Sequence, residues 1–569
     1  MILFALVVLV SVISINDAFA QTPNGNLNSA SSCTSLVGGT WTAGNSTCTI
    51  TSPITINSGQ TLTIDSGIAL TIKVSQAGSV VTGGQISNSG TMTVLYKDDF
   101  PVWNTYYRMC STSFVCHGIL QSTITNNVGG IINIPSSLTV TSRNAYLIDT
   151  STINNSGTIN IFKTIGKNTI INNSGGIINL SSIITTNDGP QPAFIIQSSI
   201  TNRAGGTINM LDLSEMQETS ISNSGTINIL SSSGYTMSRS TIINNAGGII
   251  IMNTSENNSG IHTNSNITNK AGATFTLVAC GNTCILRSTV NNYGTFNISN
   301  PASLGIRSST ITNYAGATLN LSGAGTHIHN QESYNAGVRL GYLTNDGLIT
   351  ISGGSGIVSG VTTNNAAGTI NISGSPSVGC CYSLDPTDSL TNAGTITISN
   401  IAGKGIGGTK LINSGTITVA NTGGKGLDNS GTYASITNTG TITYTTAQTD
   451  TVLNTGGLIL NSTAGKTFNN GESFAAGQTF NGTQNFGTAS NFTSGNMQFA
   501  ATQSFGDSSK FAKNQIFNSS SYTFTGLSLS FNSGTSFGAA RTFGDYANFT
   551  GAQTFVGANT FGKATVKFA

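Results

Sequence analysis

The chain has 569 residues, of which 7% are charged and 69 are glycine, whereas ordinary globular chains carry about 25% charge. Disordered chains gain charge or proline and lose β-branched residues; this one has 9 prolines and is dense in Ile, Val and Thr, which argues against disorder throughout. Its 21 basic and 19 acidic residues are thinly spread and form no patch able to neutralise several phosphates, so nucleic acid is not an expected partner. Asn, Ser, Thr, Gly and Ile favour strands and tight turns over helices, and an almost all-β chain follows.

Residues 1–20 read as a signal peptide. A mostly apolar run from Ile2 to Ile15 leads through Asn16 and Asp17 to Ala18-Phe19-Ala20, whose small residues predict cleavage before Gln21. No Lys or Arg precedes the run. About fourteen residues are too few to cross ~30 Å of hydrocarbon as a helix, and no later segment reads as a transmembrane span. No sorting or lipidation signal is recognisable in residues 564–569. The expected location is secreted or at the cell surface.

Eight cysteines form four local couples: Cys33 with Cys48, Cys110 with Cys116, Cys280 with Cys284, and Cys380 beside Cys381. Export makes disulfides the default. Zinc is the alternative, but no couple has a second one close by, and His117 alone adds a ligand. Cys280 to Cys284 reads as a hairpin tip closed by its own bridge. Cys380 and Cys381 have Cα atoms about 3.8 Å apart, below the usual disulfide range, so whether they bond to each other stays open.

Residues 21–50 are expected to form a disulfide-closed cap, and residues 51–460 repeat one theme. A β-branched pair is followed by Asn, a small residue, Gly and a strand of Thr-Ile-Asn-Ile type. Asn155 to Ile159, Asn223 to Ile227 and Asn413 to Ile417 all read NSGTI, while Asn173-Ser174-Gly175-Gly176 and Asn245-Ala246-Gly247-Gly248 are one residue longer at the turn. In Thr158-Ile159-Asn160-Ile161 the isoleucines alternate with polar residues, giving one apolar face that so small a unit cannot bury alone. Stacking coils about 4.8 Å apart aligns those isoleucines in interior columns. Gly is read as supplying positive φ at the bend, and Asn as forming a ladder from coil to coil. About 410 residues at about 23 per coil give on the order of 18 coils, a rod of about 85 Å. The fold class is therefore all-β, a parallel β-helix, with the right-handed crossover expected.

This repeat style resembles the right-handed β-helix surface proteins, among them filamentous-haemagglutinin-like adhesins and autotransporter passengers. The opening, from Cys33 through Gly38-Gly39-Thr40-Trp41 to Cys48 and on to Thr61-Leu62-Thr63-Ile64, also looks like the first coils of exported β-helices. It would cover strand edges that otherwise recruit other chains. No transporter barrel of alternating ten-residue strands is seen at the C-terminal end.

Residues 461–569 follow another rule. Phenylalanines recur every six residues, occasionally seven, from Phe468 to Phe568. A solenoid with six-residue sides places one Phe inward on each side, and three sides make a coil of about 18 residues. The period resembles hexapeptide or bactofilin-type β-helices, with Phe in place of their aliphatic residues. The alternative is a Phe-studded linker.

Chemistry is sparse. The segment 95–120 reads as a loop insertion whose Asp98, Asp99, Trp103, Tyr106, Tyr107 and Arg108 bring charge and aromatics together. It is either a sugar- or partner-binding loop or a lid over the coil. His327 and His329 share a face in a strand without a third ligand. Thr-x-Thr pieces such as Thr61-Leu62-Thr63 raise ice binding, yet too few stack regularly in the sequence to favour it. N-x-S/T sequons inside strands, such as Asn297 and Asn371, accept glycan only if they face outward. No catalytic, metal or cofactor residue is assigned. The reading is an exported, non-catalytic structural or adhesive rod, whose partners are cell-envelope or extracellular glycans, or further copies of itself. The alternative is a carbohydrate-active β-helix enzyme, a polysaccharide lyase or glycoside hydrolase, which needs clustered acids.

Overall fold

The computed structural model describes residues 23–74, 78–96, 116–135, 145–162, 165–181, 194–211, 215–231, 237–254, 260–262, 264–280, 283–301, 304–323, 327–329, 341–353, 356–374, 382–402, 404–406, 410–422, 435–438 and 441–445. From 458 on it describes 458–460, 466–468, 473–474, 479–480, 484–486, 488, 490–492, 498–499, 503–505, 507–511, 516–517, 524, 528–532, 535–537, 542–557, 559–562 and 567–568. The chain is a parallel β-helix, almost wholly strand, in two compact units: 1–179 with 183–191, and 180–182 with 192–569.

In each unit a coil has three sides. In the second unit, Glu215–Gln217, Ser220–Asn223 and Thr226–Ser231 form the first, second and third sides of one coil. Each pairs in parallel with its counterpart in the next: Met237–Ser238, Thr241–Asn244 and Ile249–Thr254. Alternation sends every second residue inward. Ile221, Ile242, Ile267, Val290 and Ile311 form one buried column on the second side, and Ile227, Ile250, Phe275, Phe296 and Leu319 another on the third. Phe275 and Phe296 stack with centroids 4.8 Å apart, the spacing that neighbouring strands impose. The short turn between second and third sides changes little, whereas the connection from the third side to the next coil varies in length. Successive ladder asparagines consequently lie between 17 and 38 residues apart.

The first unit has the same plan. Its second side runs through Thr61–Ile64, Gln85–Asn88, Thr123–Asn126, Thr152–Asn155 and Thr169–Asn172. Gly25–Leu27 adds a parallel strand to Thr61–Ile64. The helix Ala30–Val37 then starts on a capping box between Ser29 and Ser32 and stops at Gly38, φ 60°. It buries Cys33 and Val37, and the Cys33–Cys48 disulfide ties it to Thr47–Ile50, which pairs with both Thr40–Thr42 and Ala69–Val74. Gly39 lies against this bridge: a Cβ there would stand 2.7 Å from Cys48 Sγ. Reading the composition as strand alone missed this helix, whose signal is the S-x-x-S capping pair at Ser29 and Ser32.

The hexad region, part of the second unit, is three-sided as expected. Phe468, Phe486 and Phe505 lie in register on one side, Phe474, Phe492, Phe511, Phe531, Phe549 and Phe568 on another, and Phe480, Phe499, Phe517, Phe537 and Phe555 on the third. Every third Phe therefore stacks on the same column. Phe511 and Phe531 are parallel at 4.7 Å, while Phe531 meets Phe537 of the adjacent column edge-on at 5.3 Å. Both are favoured aromatic geometries. Phe531 and Phe537 are wholly buried, whereas Phe568 is 61% exposed.

Two sequence expectations need correction. The Cys280–Cys284 disulfide is present, but it does not close a hairpin. Thr274–Val278 belongs to the third side and Thr283–Leu286 to the first side of the next coil, and both pair in parallel. The bridge therefore staples a corner. The glycine of NSG was assigned to positive φ, yet Gly225 is needed for close approach: a Cβ there would lie 2.3 Å from the Gly206 carbonyl oxygen. Positive φ belongs to the extra glycine of the longer turns, such as Gly247 at 76°.

Candidate interaction surface

The surface is built on the turn that joins second and third sides. From Gln85–Asn88 onward the second-side strands of each ladder end on a buried Asn whose Nδ2 donates to Oδ1 of the equivalent Asn in the next coil. In the first unit the ladder runs Asn88, Asn126, Asn155, Asn172 at 2.7 to 2.8 Å. In the second it runs from Asn202 to Asn413 through ten coils, with links of 2.6 to 3.0 Å. Nδ2 also reaches turn carbonyls, as Asn244 does at Gly248 and Thr274. Such a satisfied buried network holds neighbouring coils in register.

A second polar ladder occupies the corner between first and second sides, and sequence reasoning missed it. There a residue with positive φ precedes a buried hydroxyl or amide: Gln121 before Ser122, Thr150 before Ser151, Arg287 before Ser288. The backbone N–H of Ser122 donates to Ser151 Oγ at 3.2 Å, and that of Ser288 to Ser309 Oγ at 3.2 Å. The signal is faint, because the left-handed position is filled by residues as varied as Gln, Thr, Lys, Glu, Arg and Ser, with Asn264 and Gly83 among them. Charged side chains gather here, including Glu218 and Arg239, whose exposed carboxylate and guanidinium approach to 3.5 Å.

The third side differs. Among its described strands in the second unit, from Thr207–Leu211 to Thr554–Phe555, no Asp, Glu, Lys, Arg or His occurs. Six successive strands place their outward residues in three columns. The first is Thr295, Thr318, Leu348, Thr369, Thr395 and Thr416; the second is Asn297, Asn320, Thr350, Asn371, Thr397 and Thr418; the third is Ser299, Ser322, Ser352, Ser373, Ser399 and Ala420. Of these 18 positions, 16 carry a hydroxyl or an amide; Thr-x-Thr itself stacks only at Thr395/Thr397 and Thr416/Thr418 among the six strands, and it is register that aligns the mixed Thr, Asn and Ser columns despite unequal spacing in the chain. Asn320 Nδ2 donates to Asn297 Oδ1 at 3.0 Å within the middle column. The sequons at Asn297 and Asn371 do point outward, half-buried between inward neighbours.

On the turn that follows the ladder, Tyr293 and Tyr314 stack with centroids 3.8 Å apart and planes 7° from parallel. The hydrogen bond to Tyr314 holds the Tyr293 phenol above its ordinary value of 10.0, with desolvation and the charge of Tyr314 acting in the same direction. Each ring covers a face of the other.

Asp98, Asp99, Trp103, Tyr106, Tyr107, Arg108, Cys110, Cys380, Cys381 and the segment 1–20 lie outside the described residues. Cys116 opens the first-side strand Cys116–Leu120. His327–His329 is a strand, with Ile328 buried between the two histidines. Among the described residues no three of His, Cys, Asp or Glu come together as a metal-ion group, and no helix is long and apolar enough to cross a membrane.

The chain matches no protein-family model, and no curated protein matches it. Among solved structures it is similar to the crystal structure of a TibC-catalysed, hyper-glycosylated TibA fragment. Sequence identity is 15%, over 64% of this chain and 93% of that one, with a TM-score of 0.20.

Proposed function

We propose that the protein is an exported, non-catalytic structural or adhesive element of the cell surface, contacting glycans or neighbouring copies through a polar, uncharged outer face. The observation that carries this reading is the third side of the second unit, where stacked strands repeat Thr, Asn and Ser outward without an ionisable residue. One such hydroxyl or amide binds weakly. Dozens held in register add through multiplicity. The fold by itself does not decide function.

Export is supported by the sequence of residues 1–20 and by the Cys33–Cys48 and Cys280–Cys284 bridges, which belong in an oxidising compartment. In this reading residues 21–50 cap the coils, 51–460 form the main solenoid and 461–569 the Phe-cored one. The loop with Asp98, Asp99, Trp103, Tyr106, Tyr107 and Arg108 serves as an additional ligand contact. Antibody labelling of intact cells tests the location, with label expected at the surface and imaging expected to reveal assemblies. Incubation with a panel of polysaccharides tests the chemistry. Release of sugar products would replace this reading with a carbohydrate-active enzyme.

A further inference from the structure

We propose that the third side of the second unit, between Thr295 and Thr418, is an ice-binding surface. This gives the face that carries the adhesive reading a different ligand, and it does not rest on that reading.

A crystal face of ice is a neutral lattice of hydrogen-bonding oxygens that repeats in two directions. A protein face that adheres to it needs the same three properties: two-dimensional repeat, neutrality and rigidity. Neighbouring strands set one repeat at about 4.8 Å and alternate residues along a strand set the other at about 6.7 Å, both close to oxygen repeats of ice. The three outward columns keep this register through six strands without a bulge.

Neutrality is complete over the grid. An ionised side chain orients its own hydration shell and is long and mobile, whereas short hydroxyls and amides can share water with a growing lattice. Charge is not absent from the coil as a whole, since Arg287 and Lys410 stand exposed on its other sides. It is absent from this side.

Rigidity comes from two sources. Threonine is β-branched and stiff at χ1, so its methyl and hydroxyl keep fixed places. Behind the grid, the ladder from Asn292 to Asn413 locks coil to coil with links of 2.6 to 2.8 Å. A glycan is the competing occupant of a neutral polar face. Pyranose rings are usually covered by flat aromatic side chains, and none of the 18 outward positions is aromatic.

The test uses the full chain, carrying Thr369→Lys with Thr397→Lys on the grid and, separately, Ala366→Lys at an exposed turn position. A further variant, Thr397→Val, keeps the shape and removes the hydroxyl. Circular dichroism and thermal melting establish that each is folded. The wild-type chain and Ala366→Lys are expected to concentrate in a slowly growing ice front and to slow ice recrystallisation, and the double lysine variant to lose both effects, with Thr397→Val weakened. A wild-type chain excluded from ice, or grid variants as active as wild type, would overturn the proposal. Retention on crystalline chitin or cellulose with no activity on ice would overturn it too, and assign the face to a neutral glycan.

Discussion

Asn223 donates its side-chain amide to Oδ1 of Asn244, one coil further on, at 2.8 Å, while both side chains are wholly buried. Asn244 in turn donates to Asn269 and to the carbonyls of Gly248 and Thr274. Asn244→Leu should therefore take the 2.8 Å acceptor from the Asn223 amide, which keeps the Gly225 and Ile249 carbonyls, and remove three donations. A loss of about 2–4 kcal/mol is expected from unsatisfied buried polar groups, read as a lowered denaturation midpoint. A midpoint equal to wild type would show that the ladder contributes nothing to stability.

The ladder has a direction, and its first member has no donor behind it. Asn88 Oδ1 is buried and unpartnered, because the residue in register in the preceding coil is Ile64. Ile64→Asn would supply the missing amide but remove apolar volume, so the expected change is smaller than the ~2 kcal/mol or more of an ordinary Ile truncation. Comparison with Ile64→Ala in the same melt checks this.

Gly248 and Ala273 occupy equivalent positions, in register just before Ile249 and Thr274. At Ala273 the ladder amide still reaches the carbonyl, at 3.4 Å rather than the 3.2 Å found at Gly248. A Cβ at Gly248 would lie 2.4 Å from Asn244 Oδ1 and 2.7 Å from the Asn223 carbonyl oxygen, so Gly248→Ala should cost about 1–3 kcal/mol through the shift that Ala273 already makes, and Gly248→Val considerably more through overpacking. Equal midpoints for the two variants would contradict the close-approach account.

Phe531 is wholly buried between Phe511 and Phe549. Phe531→Ala is expected to destabilise by about 3–5 kcal/mol, as large-to-small core changes do. Phe568→Ala, at a ring 61% exposed, should remain near wild type. Thermal unfolding followed by near-ultraviolet dichroism separates the two.

Tyr293 carries a phenol held above 10.0 chiefly by its hydrogen bond to Tyr314. A raised value means that the folded state keeps the proton more tightly, so this contribution is whole below the ordinary tyrosine range and is lost as pH rises through the raised value. Ultraviolet titration should find a late-ionising tyrosine, and Tyr314→Phe should bring it back toward 10.0. A titration unchanged by Tyr314→Phe would rule out the hydrogen bond as the cause.

Much of the architecture was legible in residue order. Alternation in Thr158-Ile159-Asn160-Ile161 dictates which side chains turn inward, the recurring Asn marks the ladder, and a six-residue Phe period requires short sides. The corner between first and second sides was not legible, since positive φ at Arg287 or Lys167 leaves no compositional mark: the corner geometry is imposed by strands already fixed on either side. The close approach at Gly225 was equally hidden, because the carbonyl it must clear belongs to Gly206, in the preceding coil.

The sequence by itself determined that this chain winds into parallel coils, because an apolar stripe of two isoleucines per strand can be buried only by a neighbour of the same kind. Only the tertiary structure decided what the outside presents. Coils of 19 to 32 residues scatter Thr295, Thr318, Thr369 and Thr395 irregularly along the chain, and it is backbone pairing that brings them into one uncharged column.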